Sequence, residues 1–218
     1  MLQFLKMTIN WYGQSCFKID SREATIAIDP FSKEIGLTPP RFRADIVLVT
    51  HSHYDHSNTE TIPGQDESNP PLAISGAGEY ERKGVGIRGI QTYHDAHQGK
   101  ERGINTAYRI EAEGISLAHL GDFGEAKIRQ ETVDALGDVD ILFLPVGGTY
   151  TIDADAALEV VREIEPRIVI PMHYALPGLK VKLAPVEDFL KAAGAKSVER
   201  LEKLSIKKKD LPEGPTQT

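Results

Sequence analysis

Cysteine is nearly missing from this chain: Cys16 is the single one among 218 residues, so no disulfide can form within it. Cys16 sits in the apolar run CFKI and reads as a small core residue, not as a nucleophile. Long apolar runs are missing too. No stretch approaches the roughly 20 residues that span a bilayer, and the start MLQFLKMTIN is too short for a signal peptide and has no small-residue cleavage site after it. The expectation is a cytoplasmic protein with no membrane span. Excess positive charge is absent as well: 25 Lys and Arg stand against 32 Asp and Glu, a formal net charge of −7. An acidic chain gains no counterion-release affinity for polyphosphate, which argues against a long nucleic acid as partner. Small anions stay open, because a bound cation would reverse the local field. There are no low-complexity tracts and no short-period repeats.

What is present is ordinary for a folded domain: 40% hydrophobic and 26% charged residues. The length suits one domain over residues 1–210, with LPEGPTQT, residues 211–218, expected to be a disordered tail. Short β-rich segments open the chain, MTINWY, CFKID and ATIAID, separated by turn signals at Gly13-Gln14 and Asp20-Ser21-Arg22. Residues 30–43 form a loop. ADIVLVT is apolar without alternation and β-branched, the pattern of a buried strand. Residues 57–71 are polar with three prolines and read as a second loop. LAISG, VGIRGIQTY, NTAYRIEA and ISLAHLG follow as strands.

The second half alternates. DVDILFLPV and PRIVIPM read as buried strands. Between them Asp153 can cap a helix that starts at Ala154, presents Ala157, Val161 and Ile164 on one face, and stops before Pro166. A second helix has Pro185 at its first position, an apolar face of Val186, Phe189, Leu190 and Ala193, and Gly194 at its end. SVERLEKLSI is expected as the last strand, with helix as the alternative for its first part. Strands first, then strands alternating with helices, predict an α/β fold of two sheets between helices.

The dominant chemical signal is His51-Ser52-His53-Tyr54-Asp55-His56, placed directly after ADIVLVT. Four metal-ligand side chains fall within six residues, and imidazole nitrogen with carboxylate oxygen is the donor set divalent zinc takes. His94 follows GIRGIQTY, Asp122 follows ISLAHLG and His173 follows PRIVIPM, each a ligand type where a strand ends. Singly, His94 also reads as a loop histidine, Asp122 as a turn residue and His173 as a core histidine. Together the seven suit two ions. His97 lies in a polar loop and His119 has the wrong strand alternation, so both are expected not to be ligands.

HSHYDH resembles the HxHxDH signature of the metallo-β-lactamase superfamily. The resemblance runs from Gly13-Gln14-Ser15-Cys16-Phe17 through IDPF to VIPMHY, and is closest to the branch that contains the L-ascorbate-6-phosphate lactonases and other Zn-dependent hydrolases. It implies a four-layer αββα sandwich of two mixed sheets flanked by helices, with the site at one edge. It implies that His51, His53 and His94 hold one metal, that Asp55, His56 and His173 hold a second, and that Asp122 bridges them. Asp29 resembles the family's buried aspartate that braces the signature loop. Diiron flavoproteins of the superfamily carry Glu where this chain has His53, which favours zinc here, with manganese, nickel and iron as alternatives.

The implied chemistry is hydrolysis by a metal-bound hydroxide, with Asp55 as metal ligand and catalytic carboxylate. The expected substrate is a small-molecule lactone, ester or phosphate ester, with a nuclease acting on short nucleotides, a mono-iron persulfide oxygenase and a metal-stabilised binding protein as alternatives. Gly147, Gly148 and Tyr174 are candidate substrate contacts, with a tight turn and core packing as their other readings. Exposed sheet edges make a homo-oligomer an open expectation.

Overall fold

In a computed structural model, residues 6–195, 198, 200–214 and 216 are described. Twelve strands form two six-stranded mixed sheets. The first contains β1 (Met7–Gly13), β2 (Cys16–Asp20), β3 (Thr25–Ile28), β4 (Ile46–Val49), β5 (Leu72–Ser75) and β12 (Lys203–Ile206), in the order β12-β1-β2-β3-β4-β5. The second contains β6 (Gly78–Arg82), β7 (Val85–Tyr93), β8 (Ile104–Ala112), β9 (Ile115–His119), β10 (Ile141–Pro145) and β11 (Ile168–Met172), in the order β11-β10-β9-β8-β7-β6.

Pairing direction fixes where the site lies. In the second sheet β7 and β9 are each antiparallel to β8, and β9, β10 and β11 are mutually parallel. The carboxyl ends of β7, β9 and β11 therefore meet at one edge. In the first sheet β1 and β3 are antiparallel to β2, and β3 is parallel to β4. The end of β4, the end of β3 and the β1–β2 turn consequently share one edge as well.

The sheets pack through alternate residues of each strand. Ile9, Phe17, Ile19, Ile26, Ile28 and Leu48 face Ile110, Leu117, Ile141 and Phe143 in one apolar cluster. Each such fully buried side chain contributes about 1.5–3 kcal/mol relative to exposure. The outer face of the second sheet is covered by α1 (Gln130–Leu136), α2 (Ala154–Ile164) and α3 (Val186–Ala192). Asp153 caps α2 as its sequence predicts, accepting from the Ala156 N–H at 3.0 Å. Pro185 is the cap of α3 and not its first residue. On the first sheet the outer layer is thinner: Ala44, Ile62 and Phe42 from the flanking loops cover Ala27, Val47 and Val49.

Some expected boundaries shift. β6 and α1 are additions to the sequence reading, and β12 takes only the end of SVERLEKLSI, of which residues 197 and 199 lie outside the described residues. The tail expected to be disordered starts with a docked residue: Leu211 is buried in the main core, and the Pro212 carbonyl accepts from Arg167. Residues 215, 217 and 218 of that tail are not described. No helix among the described residues is long and apolar enough to cross a membrane.

Candidate metal centre

The four ligand-bearing segments leave β4, β7, β9 and β11 and converge on Asp122. Its Oδ2 lies 3.2 Å from His94 Nε2, 3.2 Å from His173 Nε2, 3.3 Å from His56 Nε2 and 4.0 Å from His51 Nε2. Three groups of donor atoms lie close enough to share an ion: His51 with His53 and His94, His51 with His56 and Asp122, and Asp55 with His56 and His173. All seven residues singled out from the sequence are thus brought into one cluster. Five of them are buried; Asp55 is partly exposed and His53 exposed, so solvent reaches the cluster from their side.

The support under the histidines sets their tautomers. Asp29 Oδ1 accepts the Thr50 backbone N–H at 2.8 Å, and Oδ2 accepts the Thr50 hydroxyl at 2.8 Å and His56 Nδ1 at 2.8 Å. Because the Thr50 hydroxyl has given its hydrogen to Asp29, its oxygen can only accept from His51 Nδ1, 3.0 Å away. Both imidazoles therefore carry a hydrogen on Nδ1 and turn Nε2 inward, and His51, held neutral by burial, offers a bare lone pair there. Those two Nε2 atoms are buried and have no hydrogen-bond partner. Lone pairs facing a buried carboxylate are unfavourable unless positive charge lies between them. The residues present therefore fit divalent metal ions, with the second support layer that metal-bound histidines take.

The electrostatics agree. Burial, with the neighbouring His56 imidazole, pushes His51 down to about 2, so it is neutral. Burial pushes the Asp122 carboxyl up, and His173 and His56 more than reverse it, holding it well below the usual carboxylate range. Asp55 behaves alike: burial raises it, and His56 holds it down as an anion.

Three residues of the centre adopt left-handed backbone: Gln14 (φ 53°), Asp29 (φ 47°) and His173 (φ 52°). None is glycine, and strain of this kind persists only where surrounding contacts over-determine it.

His97 is outside the cluster, exposed and paired with Glu101 at 2.7 Å. His119 is also not in it, and has a bracing role the sequence did not reveal. It accepts from the Gly121 N–H on Nδ1 at 3.1 Å, so Nε2 carries the hydrogen and donates to the Ser15 carbonyl at 3.0 Å. Further supports missed from sequence are Ser15, whose hydroxyl donates to Asp122 Oδ1 at 3.4 Å, and Asn105, whose Oδ1 accepts the Asp122 N–H at 3.0 Å. Asp95 accepts the backbone N–H groups of His97, Gly99, Glu101 and Arg102, and so shapes the loop after His94.

Of the substrate-side candidates, Gly148 gives its N–H to the Ile152 carbonyl at 3.2 Å in a tight turn. Gly147 lies under the last ligand: a Cβ there would sit 2.1 Å from the His173 carbonyl oxygen. Tyr174 is half-buried, its ring 5.0 Å from that of Trp11.

A family model described as a β-lactamase superfamily domain matches residues 8–173. A UPF0173 metal-dependent hydrolase of Thermoplasma acidophilum is 30% identical over 189 residues, covering 77% of this chain and 83% of its own. The crystal structure of a metallo-β-lactamase superfamily protein from Thermotoga maritima superimposes with a TM-score of 0.78 at 34% identity, covering 97% of both chains. A metallo hydrolase from Ignicoccus hospitalis shares the fold, with a TM-score of 0.65 at 22% identity over 93% of this chain and 99% of that one. With a converging His and Asp cluster at the sheet edge and these relatives, the chain belongs to the metallo-β-lactamase superfamily and, within it, to the metal-dependent hydrolases.

Proposed function

We propose that the cluster holds two divalent ions, zinc before manganese, nickel or iron, and hydrolyses a small-molecule lactone, ester or phosphate ester. The observation that carries this is the grouping of donor atoms: His51, His53 and His94 on one side, Asp55, His56 and His173 on the other, with Asp122 Oδ2 within 3.2–3.3 Å of an imidazole nitrogen from both. Seven donors exceed what one tetrahedral ion takes. Such ions, held by these residues, would supply Lewis acidity and activate water for hydrolysis near neutral pH.

The remaining work belongs to the chain. Asp29 and Thr50 hold His51 and His56 in the tautomer that offers Nε2. Asp122 supplies a buried negative charge common to both halves. Asp55 is the carboxylate on the solvent-reached side, and we assign it to touch the reacting centre as an anion that orients, since an anionic group has no proton to donate. A cysteine nucleophile is not called for, because Cys16 is buried with its thiol pushed well up by burial and by Asp29. Tyr174, Gly147 and Gly148, at the His173 end, are the substrate-side candidates.

The test is elemental mass spectrometry on protein purified without added metal, followed by panels of lactones, esters and phosphodiesters. About two equivalents of zinc or manganese, with activity lost on chelation and regained on re-addition, is the expected result. One equivalent of iron, or turnover that survives complete metal removal, overturns the reading.

A further inference from the structure

We infer that Gln14, in the turn between β1 and β2, is a positioning residue that sets metal affinity in one half of the centre, the Asp55–His56–His173 half, and leaves the other half alone. This rests on the two-ion reading above.

Gln14 is completely buried and held at a left-handed φ of 53° that glycine would adopt more readily. Its backbone carbonyl accepts the His173 N–H at 3.1 Å and the Trp11 indole N–H at 3.0 Å. Its side-chain amide donates from Nε2 to Asp55 Oδ2 at 3.4 Å. One residue thus grips a ligand by its main chain and a second ligand by its carboxylate. Both ligands belong to the same trio.

The other trio hangs from scaffolding that Gln14 does not touch, although Asp29 braces His56 as well as His51. His51 is braced by Thr50, and Thr50 is bound in turn to Asp29 and, through its carbonyl, to the Thr106 N–H. His94 is fixed by the Gly103 carbonyl. No hydrogen bond from Gln14 to His51, His53 or His94 occurs among the described residues. Of the seven clustered residues, Ser15, next in the turn, reaches only the shared Asp122.

A buried glutamine is also a plain structural tie in many folds, but two features go against that here. Its Oε1 is buried and without a partner. Its backbone is in an unfavourable region as well. A residue kept for packing alone would shed the first penalty on replacement by an apolar side chain and the second on replacement by glycine. The amide is kept where it points an N–H at a ligand carboxylate, which fixes that carboxylate's rotamer and leaves its other lone pairs for a cation.

The consequence is that the two ions have separately tuned affinities. The test is titration of the metal-free chain with Co(II), followed by calorimetry and by the visible spectrum of each equivalent. Gln14→Met keeps the length and the backbone carbonyl and removes the amide, both the donor to Asp55 and the unpartnered Oε1. One equivalent is expected to bind as in wild type and the other about 10–100-fold more weakly, the range for loss of an outer partner. Gln14→Asn, one methylene shorter, withdraws the amide and carries the same expectation if the methionine variant does not fold. In an Asp55→Ala background, Gln14→Met is expected to add no further change.

Equal weakening of both equivalents, or of neither, overturns the assignment. So does a Gln14→Met effect that persists without Asp55. A wild-type chain that takes up a single equivalent overturns the two-ion reading and this inference together, whereas two equivalents with no split in the variants overturn the inference alone.

Discussion

Asp29 Oδ2 and His56 Nδ1 share a 2.8 Å hydrogen bond where solvent reaches neither side chain. Since Asp29 also accepts twice from Thr50, it aligns the two imidazoles of the signature whose buried Nε2 atoms have no hydrogen-bond partner. Asp29→Ala is expected to lower metal affinity about 10–100-fold. It is expected to cost about 3–5 kcal/mol of stability in addition, because one partner of a buried pair is removed. Metal titration and urea unfolding read the two effects separately. Unchanged metal affinity would mean that the signature loop holds its histidines without this brace.

Asp122 and His97 make opposite predictions. Asp122 lies within 3.3 Å of three imidazole nitrogens, so Asp122→Ala is expected to lower metal content and abolish hydrolysis. His97 has 65% of its side chain exposed and pairs with Glu101, a surface contact worth about 0–1 kcal/mol. His97→Ala is expected to keep metal content and melting temperature. Loss of an ion in this variant would show that the wrong histidine of the 94–103 segment had been assigned.

The clustered His and Asp residues were legible in the sequence because each is a polar residue that interrupts or directly follows an apolar strand, as His51 follows ADIVLVT and His173 follows PRIVIPM. Their supports, Asp29 apart, were not. Asn105 and His119 lie within buried strands or at their ends, and hydrogen bonds by which they brace the centre go to residues far off in sequence, Leu120 and Asp122 for Asn105 and Ser15 for His119. No local spacing encodes such pairs. β6 escaped because it is a sheet edge whose residues are partly or fully exposed, so no apolar alternation marks it. α1 has only two turns and buries only Thr132 and Leu136, too narrow a stripe to read as a helical face.

Asp95 organises the loop after His94 by accepting four backbone N–H groups at 2.8–3.0 Å. Burial raises its carboxyl, and the amides of Arg102, His97, Glu101 and Gly99 more than reverse this, leaving it at about 2. Asp95→Ala is expected to open residues 96–102 to limited proteolysis while the sheets keep their circular dichroism. Metal binding by the His94 half should weaken with it, since the Gly103 carbonyl that fixes the His94 N–H closes that loop. A loop as resistant as in wild type would mean that Gly99 and Gly103 alone shape it.

Cys16 is completely buried, and burial raises its thiol well above its ordinary value. The thiolate is the reactive form, so native protein at pH 8 is expected to react with a disulfide reagent at least a hundredfold more slowly than unfolded protein. Stopped-flow labelling with and without denaturant checks this. Fast native labelling would place the β1–β2 region in frequent local opening.

Gly147 and His173 meet more closely than any side chain allows. A Cβ at residue 147 would lie 2.1 Å from the His173 carbonyl oxygen and 3.1 Å from Tyr174 Cα, and both are backbone atoms that cannot swing away. Gly147→Ala must therefore displace the loop that carries the ligand. The strain of forcing in one methyl group is about 1–3 kcal/mol. At roughly 2–4 °C per kcal/mol for a domain of this size, melting should fall by about 2–12 °C. The displaced His173 should lose its 3.2 Å approach to Asp122, so metal added to the variant should restore less of the melting temperature than it adds to wild type. A variant that melts lower but gains as much from metal would separate the turn from the ligand, and leave Gly147 a purely structural glycine.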